Sequence, residues 1–514
     1  MTHVPAASNP VLHRRQFLHR VGAIALASPL AGKASAAPSS LSPNAQAWRA
    51  MARLGYGPTA ALVRQVLAAN APSAWALQEV DAAYDASQQA SALAHDYTDL
   101  QLSLPDVFAK VRAEREARKQ LKEDPQAKTQ REAPDRMALM EDQGNTDPAF
   151  FSRSISLQAV AWRLRSCSEP ARENPLLARL TEFWFNHLNV YMGKGAVRPF
   201  VGHYALHVAR AHALGKFEDL LLASARHPAM LLYLDQAQSV AQDSPGAQGR
   251  GRGLNENYAR ELMELHTLGV DGGYSQNDVR ELARVLTGWT TSPLDTSGFQ
   301  FTGRLHDNGE KILLGSSLGG AGQQGEQEGI EAIRMLARHP STAQRVCQRL
   351  ARFFVADQPK PALVAHLKST FLATQGDLRA VVRELLSSAD FWATENTLFR
   401  TPMDYACATL AATNNGADST DSPRHLLQAA GFLSSAGQPV FGWQTPDGYA
   451  FDAATWDSPE ALTRRADFAL TLGRGADTEF LASYLSPTTL AHIAQERPAL
   501  RAGLRVASPD AMCK

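Results

Sequence analysis

The stretch NENYARELMELHTLGVDGGYSQNDV, residues 255–279, joins two helical patterns through a glycine turn, and its reading decides the fold. Successive residues of an α-helix are turned by about 100°. Glu256, Asn257, Arg260, Glu261 and Glu264 then share one side, and Tyr258, Leu262, Leu265 and His266 the other. Glu256/Arg260 and Arg260/Glu264 are i,i+4 pairs, each worth about 0.2–0.5 kcal/mol on an exposed helix. Gly269, Gly272 and Gly273 supply the turn. Ser275 with Asp278 is a capping-box variant, and Val279, Leu282, Ala283, Leu286 and Trp289 form the next apolar stripe. A helical hairpin accounts for most of the pattern.

The same geometry tests a metal box within Glu261-Leu-Met-Glu264-Leu-His266. On a regular helix His266 lies about 140° from Glu261 and about 160° from Glu264, so it joins neither around one ion. Helical ligand pairs have i,i+3 or i,i+4 spacing. His266 therefore reads as core. Asn257, Arg260, Glu261 and Glu264 form a polar face that needs partners from elsewhere.

The best source of partners is TEFWFNHLNVYMGK, residues 181–194, where Phe183, Trp184, Phe185 and Tyr191 occupy several faces of a buried helix. Glu182, Asn186 and His187 on such a helix must find polar partners. A second source is FQFTGRLHDNGEKILLG, residues 299–315, which reads as a β-hairpin around Asp307-Asn308-Gly309 and carries His306, Asp307 and Lys311. His203 and His207 have helical metal-pair spacing but no identified third ligand. His227-Pro228 and His339-Pro340 read as capping or packing histidines at helix boundaries. No nucleophile-elbow, Walker or dinucleotide-binding pattern stands in a credible context.

Helical patterns succeed one another from residue 154 almost to 472, so the fold class is mainly α, a multi-helix globular array with one small β-hairpin near 299–315. The chain divides into a signal segment (1–36), an N-terminal helical segment (37–108), a charged helix or linker (109–147), the main helical domain (148–472) and a tail (473–514). With 44% hydrophobic residues and zero formal charge, the composition is globular and gives no basic footprint for nucleic acid. Cys167, Cys347, Cys407 and Cys513 show no C-x-x-C pair; buried or free thiols are the favoured reading, with a disulfide left open.

Residues 1–36 have the three-part layout of an export signal: Arg14, Arg15 and Arg20, an apolar run over 21–30, and Ala34-Ser35-Ala36. Arg14-Arg15-Gln16-Phe17-Leu18 resembles the twin-arginine pattern, which implies a periplasmic or extracellular protein. Removal of this segment leaves 47 basic and 51 acidic residues and no transmembrane segment.

Several stretches together resemble a bacterial exported family catalogued as domain of unknown function 1800. They are RLGYGPT (53–59), LLARLTEFWFNH (176–187), ALGKFEDLLLASARHPAMLLYLD (213–235), residues 255–290, HDNGEKILLG (306–315) and TPDGY (445–449). The resemblance implies a helical fold and an envelope location. It also implies, as a partner, an exported sulfatase-like or phosphatase-like protein encoded nearby. It brings no catalytic residues.

Two functions compete. In the first, the chain is an exported enzyme in which Glu182, His187, Glu261, Glu264, His306 and Asp307 supply acid, base or divalent-metal ligands and Arg260 orients an anionic substrate. Its chemistry would be metal-assisted hydrolysis or oxidation. In the second, the chain is a non-catalytic envelope scaffold or binding protein acting with a partner protein or polymer, and the same residues form a buried, mutually satisfied network.

Overall fold

The computed structural model describes residues 41–123, 135–140, 147–242, 244–247, 253–319, 325–413 and 422–514. The signal segment, most of the 124–146 stretch, and parts of the loops near 237–253 and 316–326 lie outside the described residues.

Several helices begin with the same local chemistry. A side chain caps the first turn, and proline follows at a position where its missing N–H costs nothing. Ser42, Asn174, Ser458 and Ser486 cap Pro43–Leu54, Pro175–His187, Pro459–Leu472 and Pro487–Ala494 in this way. His227 and His339 do the same work as expected, each Nδ1 accepting a backbone N–H 3.1 Å away at the start of Pro228–Tyr233 and Pro340–Phe354. A neutral imidazole is required for that contact. Thr59 caps Ala60–Ala68, as the sequence suggests. The charged segment is helical over Leu104–Glu123 and buries only Leu104, Val107 and Glu114.

Phe151–Ser168 and Pro175–His187 run through the middle of the molecule and are buried along nearly all their length. Trp162 and Trp184 are fully enclosed. The core around them is continuous from Ala47 to Met512, with a small satellite of Leu485, Ile493 and Leu504. Cys167 and Cys407 are joined by a disulfide across 240 residues, which corrects the favoured thiol reading for that pair; Cys347 and Cys513 are free thiols. No described helix is long and apolar enough to cross a membrane.

The β structure differs in pairing from the single hairpin expected. β1 (Trp289–Thr291) pairs antiparallel with β2 (Phe299–Phe301), and β3 (Lys311–Leu313) with β4 (Ser316–Leu318). Leu314 and Gly315, at φ 49° and 78°, make the tight turn of the second hairpin. Asp307-Asn308-Gly309 forms no hairpin because Asp307 is otherwise engaged. Its carboxylate accepts the Gly309 N–H and pairs with Arg284. Trp289, expected on a helix stripe, starts β1, since that helix ends at Val285.

Two helices change pitch. Ala205–Arg210 and Leu262–His266 are π-helical, the second continuing directly from the α-helix Asn257–Glu261. A π turn holds more residues than an α turn, so a wheel drawn at 100° fails beyond Glu261.

Candidate functional site

The residues expected to share one site occupy separate surroundings. Among the described residues, no hydrogen bond or ion pair joins Glu182, His187, Glu264 and His306.

Glu182 lies in a closed charge network. One carboxylate oxygen accepts from the Tyr56 hydroxyl at 2.5 Å and from Arg163 and Arg179, each at 3.3 Å; the other accepts from the Tyr449 hydroxyl at 2.6 Å. Arg179 also pairs with Asp404, which pairs with Lys514. Burial first, and then Glu182, push both tyrosine hydroxyls up, Tyr449 most strongly, so they remain donors. A carboxylate with this many donors is structural.

His306 and Asp307 are similarly occupied. His306 Nδ1 donates to the Thr287 carbonyl at 2.8 Å, leaving Nε2 toward Glu328 and Lys311 at 3.5 Å. Lys311 and Glu328, both buried, pair at 2.6 Å. Asp307 takes Arg284 Nε at 2.8 Å, and Arg284 also grips Glu281. Burial lowers the His306 imidazole pKa, and Arg284 brings the Asp307 carboxyl below its usual value against the effect of burial.

His187 Nε2 donates to the His266 carbonyl at 3.0 Å, while its Nδ1 is buried without a partner. Burial, Arg349 and Arg345 drive its pKa well below the ordinary histidine value, so the ring is neutral. His266 is buried, and burial with Arg345 and Arg349 lowers its pKa to about 3. The histidine pair gains a third ring, with His203 Nδ1 3.0 Å from His227 Nε2 and the His203 and His207 centroids 4.1 Å apart. His227 Nδ1 already accepts a backbone N–H, so its proton sits on Nε2 and points at His203. Among the described residues, no three His, Cys, Asp or Glu side chains are placed to hold a metal ion.

The polar face of the opening stretch behaves differently. Arg260 binds Glu256 at 3.3 Å and Gln276 at 3.0 Å, and the pair expected with Glu264 is absent because Glu264 lies in the π turn. Glu261 and Glu264 are half-buried, yet neither makes a hydrogen bond or ion pair with any described residue. Burial raises the Glu261 carboxyl pKa, and Glu264 and Asp447 raise it further against Arg260.

Asp447 reaches this face because two asparagines hold its loop. Asn186 donates to the Tyr449 carbonyl and accepts the Tyr449 N–H, at 3.1 and 2.8 Å. Asn189 donates to the carbonyls of Trp443 and Thr445 at 3.1 and 2.8 Å, and Tyr233 to that of Gln444 at 2.8 Å. Tyr233–Asp235 is itself fixed by Lys194 and by Asn255 and Asn257. Gly448 has φ 72°, and a Cβ there would sit 2.2 Å from the Asn186 carbonyl oxygen. Gly448→Ala is therefore expected to cost at least about 1–2 kcal/mol from the left-handed backbone alone. It should also detach Asp447, seen as faster amide exchange confined to 443–449; unchanged exchange would refute the clamp.

Arg345 and Arg349 complete the same basin. Arg345 Nε donates to the Leu265 carbonyl at 2.9 Å and feels the Glu264 charge. Burial, with Arg345 and Arg352 nearby, lowers Arg349 to about 10, opposed by Asp447 and Tyr449. Neither arginine is among the sequence-predicted candidates. Their spacing in STAQRVCQRLARFF, at 345, 349 and 352, is the signal that could have found them. Asp447 stood in the sequence only as part of TPDGY.

An open cleft of about 580 Å³ lies instead against β1 and β2, lined by Arg226, Ser292, Asp295, Phe299, Phe301 and Glu326 among others. It contains none of the predicted site residues, and Arg226 and Glu326 pair with each other. The basin of Glu261, Glu264, Asp447, Arg345 and Arg349 has the stronger chemistry, because its charges lack such partners.

A family model described as Protein of unknown function (DUF1800) matches residues 49–510, which takes in the 473–514 tail almost whole. No curated protein and no solved structure matches the chain.

Proposed function

Because the chain belongs to the DUF1800 family, whose description carries no reaction, we propose its activity from the site itself: an exported enzyme using acid–base chemistry at Glu261 and Glu264, with Asp447 beside them. The observation that carries this reading is the pair of half-buried carboxylates without a partner, one of them with a raised pKa. Unpaired carboxylates cost stability, and sites of proton transfer are where that cost is met. The scaffold reading accounts for Glu182, His306 and Asp307, whose neighbours satisfy them. It leaves Glu261 and Glu264 without a role.

Export is supported by the Arg14-Arg15 signal pattern and by the Cys167–Cys407 disulfide, since such bonds persist in oxidising compartments. The family resemblance supports an exported sulfatase-like or phosphatase-like protein as the partner. A proton-transfer step at Glu261 does not call on a divalent metal, and among the described residues no ligand set for one is assembled around it.

The test uses the full chain incubated with an envelope fraction from cells lacking it, with new products read by mass spectrometry. Glu261→Gln is expected to slow product formation by about 10²-fold, within the usual range for a general acid or base. Equal product formation by the variant would overturn the proposal. Stability moves the other way. The raised carboxyl pKa favours the folded state below the unfolded value, and that benefit is lost as pH rises through the folded value. Glu261→Gln should thus melt no lower than the unsubstituted chain at pH 7–8, and any gain should vanish on acidification.

A further inference from the structure

The helix Pro340–Phe354 carries Arg345, Arg349 and Arg352 on one stripe and no acidic residue at all. Its opposite side, with Ala343, Cys347 and Phe354, is buried in the core. Arg349 makes no hydrogen bond or ion pair with a described residue, and its guanidinium lies 5.6 Å from the Phe451 ring centroid. The Nε atoms of Arg349 and Arg352 are buried without partners, and Arg345 uses only its Nε, on the Leu265 carbonyl. An unpartnered buried Nε also occurs at Arg53, but there the rest of the guanidinium meets four backbone carbonyls, and Arg210 meets Glu173 and two carbonyls. Glu264 exerts its opposing charge on Arg345, and Asp447 on Arg349, without forming an ion pair.

Like charges set three and four residues apart repel, and a fold gains nothing from leaving them unanswered. A guanidinium presents planar paired donors that match the oxygens of a phosphate, sulfate or carboxylate. We propose that Arg345 and Arg349 are the oxyanion-binding half of the basin and hold an anionic group of the substrate beside Glu261 and Glu264. The substrate is then an anionic molecule, with its charged oxygens on the arginine helix and its reacting bond at the carboxylates. Arg352 strengthens the field without being required for contact. The assignment of the reacting end rests on the acid–base reading above, whereas the anion site stands on the arginines alone.

Calorimetric titration of the full chain with inorganic phosphate, sulfate and acetate, at matched ionic strength in chloride, tests the proposal. At least one of the three should bind saturably, and which one does identifies the anion class. Arg349→Gln should weaken that binding at least tenfold, and Arg349→Lys should recover only part of it. Because Arg349 has no hydrogen bond or ion pair to lose and only the Phe451 ring beside it, both variants should melt within a few degrees of the unsubstituted chain; Arg345→Gln gives a second reading if one misfolds. Absence of saturable binding, or equal binding by Arg349→Gln, overturns the proposal. Glu261→Gln separates the two readings. It should bind the anion at least as tightly, since a negative charge beside the anion is removed, and if it also turns over normally, the acid–base reading fails while the anion site remains.

Discussion

Asp404→Asn lowers the unfolding free energy by about 3–5 kcal/mol, the range for removing one partner of a buried ion pair. Asp404 is buried against Arg179 and Lys514, with Arg400 adding its field. Arg179 is fully buried, and its Nε and one Nη have no partner to fall back on. Its remaining acid is Glu182 at 3.3 Å, which already serves Arg163 and two tyrosines. Among the described residues the buried cations Arg163, Arg179, Arg400 and Lys514 thus face two buried carboxylates, Glu182 and Asp404, and the substitution removes one of them. Urea unfolding measures the loss. A loss below about 1 kcal/mol, the scale of an exposed pair, would mean that water reaches Arg179.

The same pair fixes a pH signature. Burial alone would push the Asp404 carboxyl up, but Arg179 and Lys514 hold it far below the usual carboxylate range. A depressed pKa contributes stability above the unfolded value, near 3.9, and loses it only as pH falls through the folded value. The gap between the unsubstituted chain and Asp404→Asn should therefore persist at pH 4 and close only in stronger acid.

Cys167→Ala with Cys407→Ala is the second large effect. A cross-link between residues 240 apart removes about 5 kcal/mol of unfolded-state entropy on the chain-entropy account, and losses of about 2–5 kcal/mol are typical. Reductant should reproduce the loss in the unsubstituted chain. Under denaturing, non-reducing conditions a thiol reagent should find two groups, Cys347 and Cys513. Four titrated thiols would refute the bond. In the folded chain Cys347 should be inert, since burial raises its thiol to about 12.

Helices and caps were legible because their signals are local. Ser275 and Asp278 form the reciprocal capping box that their spacing suggests, with the Ser275 N–H 2.8 Å from the Asp278 carboxylate. The Glu256–Arg260 pair forms for the same reason. The Arg260–Glu264 pair does not, because a π turn intervenes and nothing in the residue types of LMELH announces a change of pitch. The site was legible only in part. Glu261 and Glu264 can be picked out on a helix wheel, but Asp447, Arg345 and Arg349 join them through tertiary contacts. Those contacts depend on Asn186, read in sequence only as a polar group in need of a partner, and on Asn189, which drew no reading of its own. The disulfide was left open in the sequence because a 240-residue separation leaves no spacing signature.

The first helix carries a consequence for how the chain is made. Arg53 in Pro43–Leu54 donates to the Phe354, Val355 and Lys514 carbonyls, across 301, 302 and 461 residues. At a synthesis rate of about 5–20 residues per second, the last of those acceptors follows Arg53 by roughly 20–90 seconds. For that interval the guanidinium is held by water, while the apolar face of the first helix can already pack on Ala60–Ala68, Pro72–Ser87 and Pro175–His187. The helix can thus dock early by its apolar side, and the closing of its Arg53 hydrogen bonds is the late event in the life of the nascent chain.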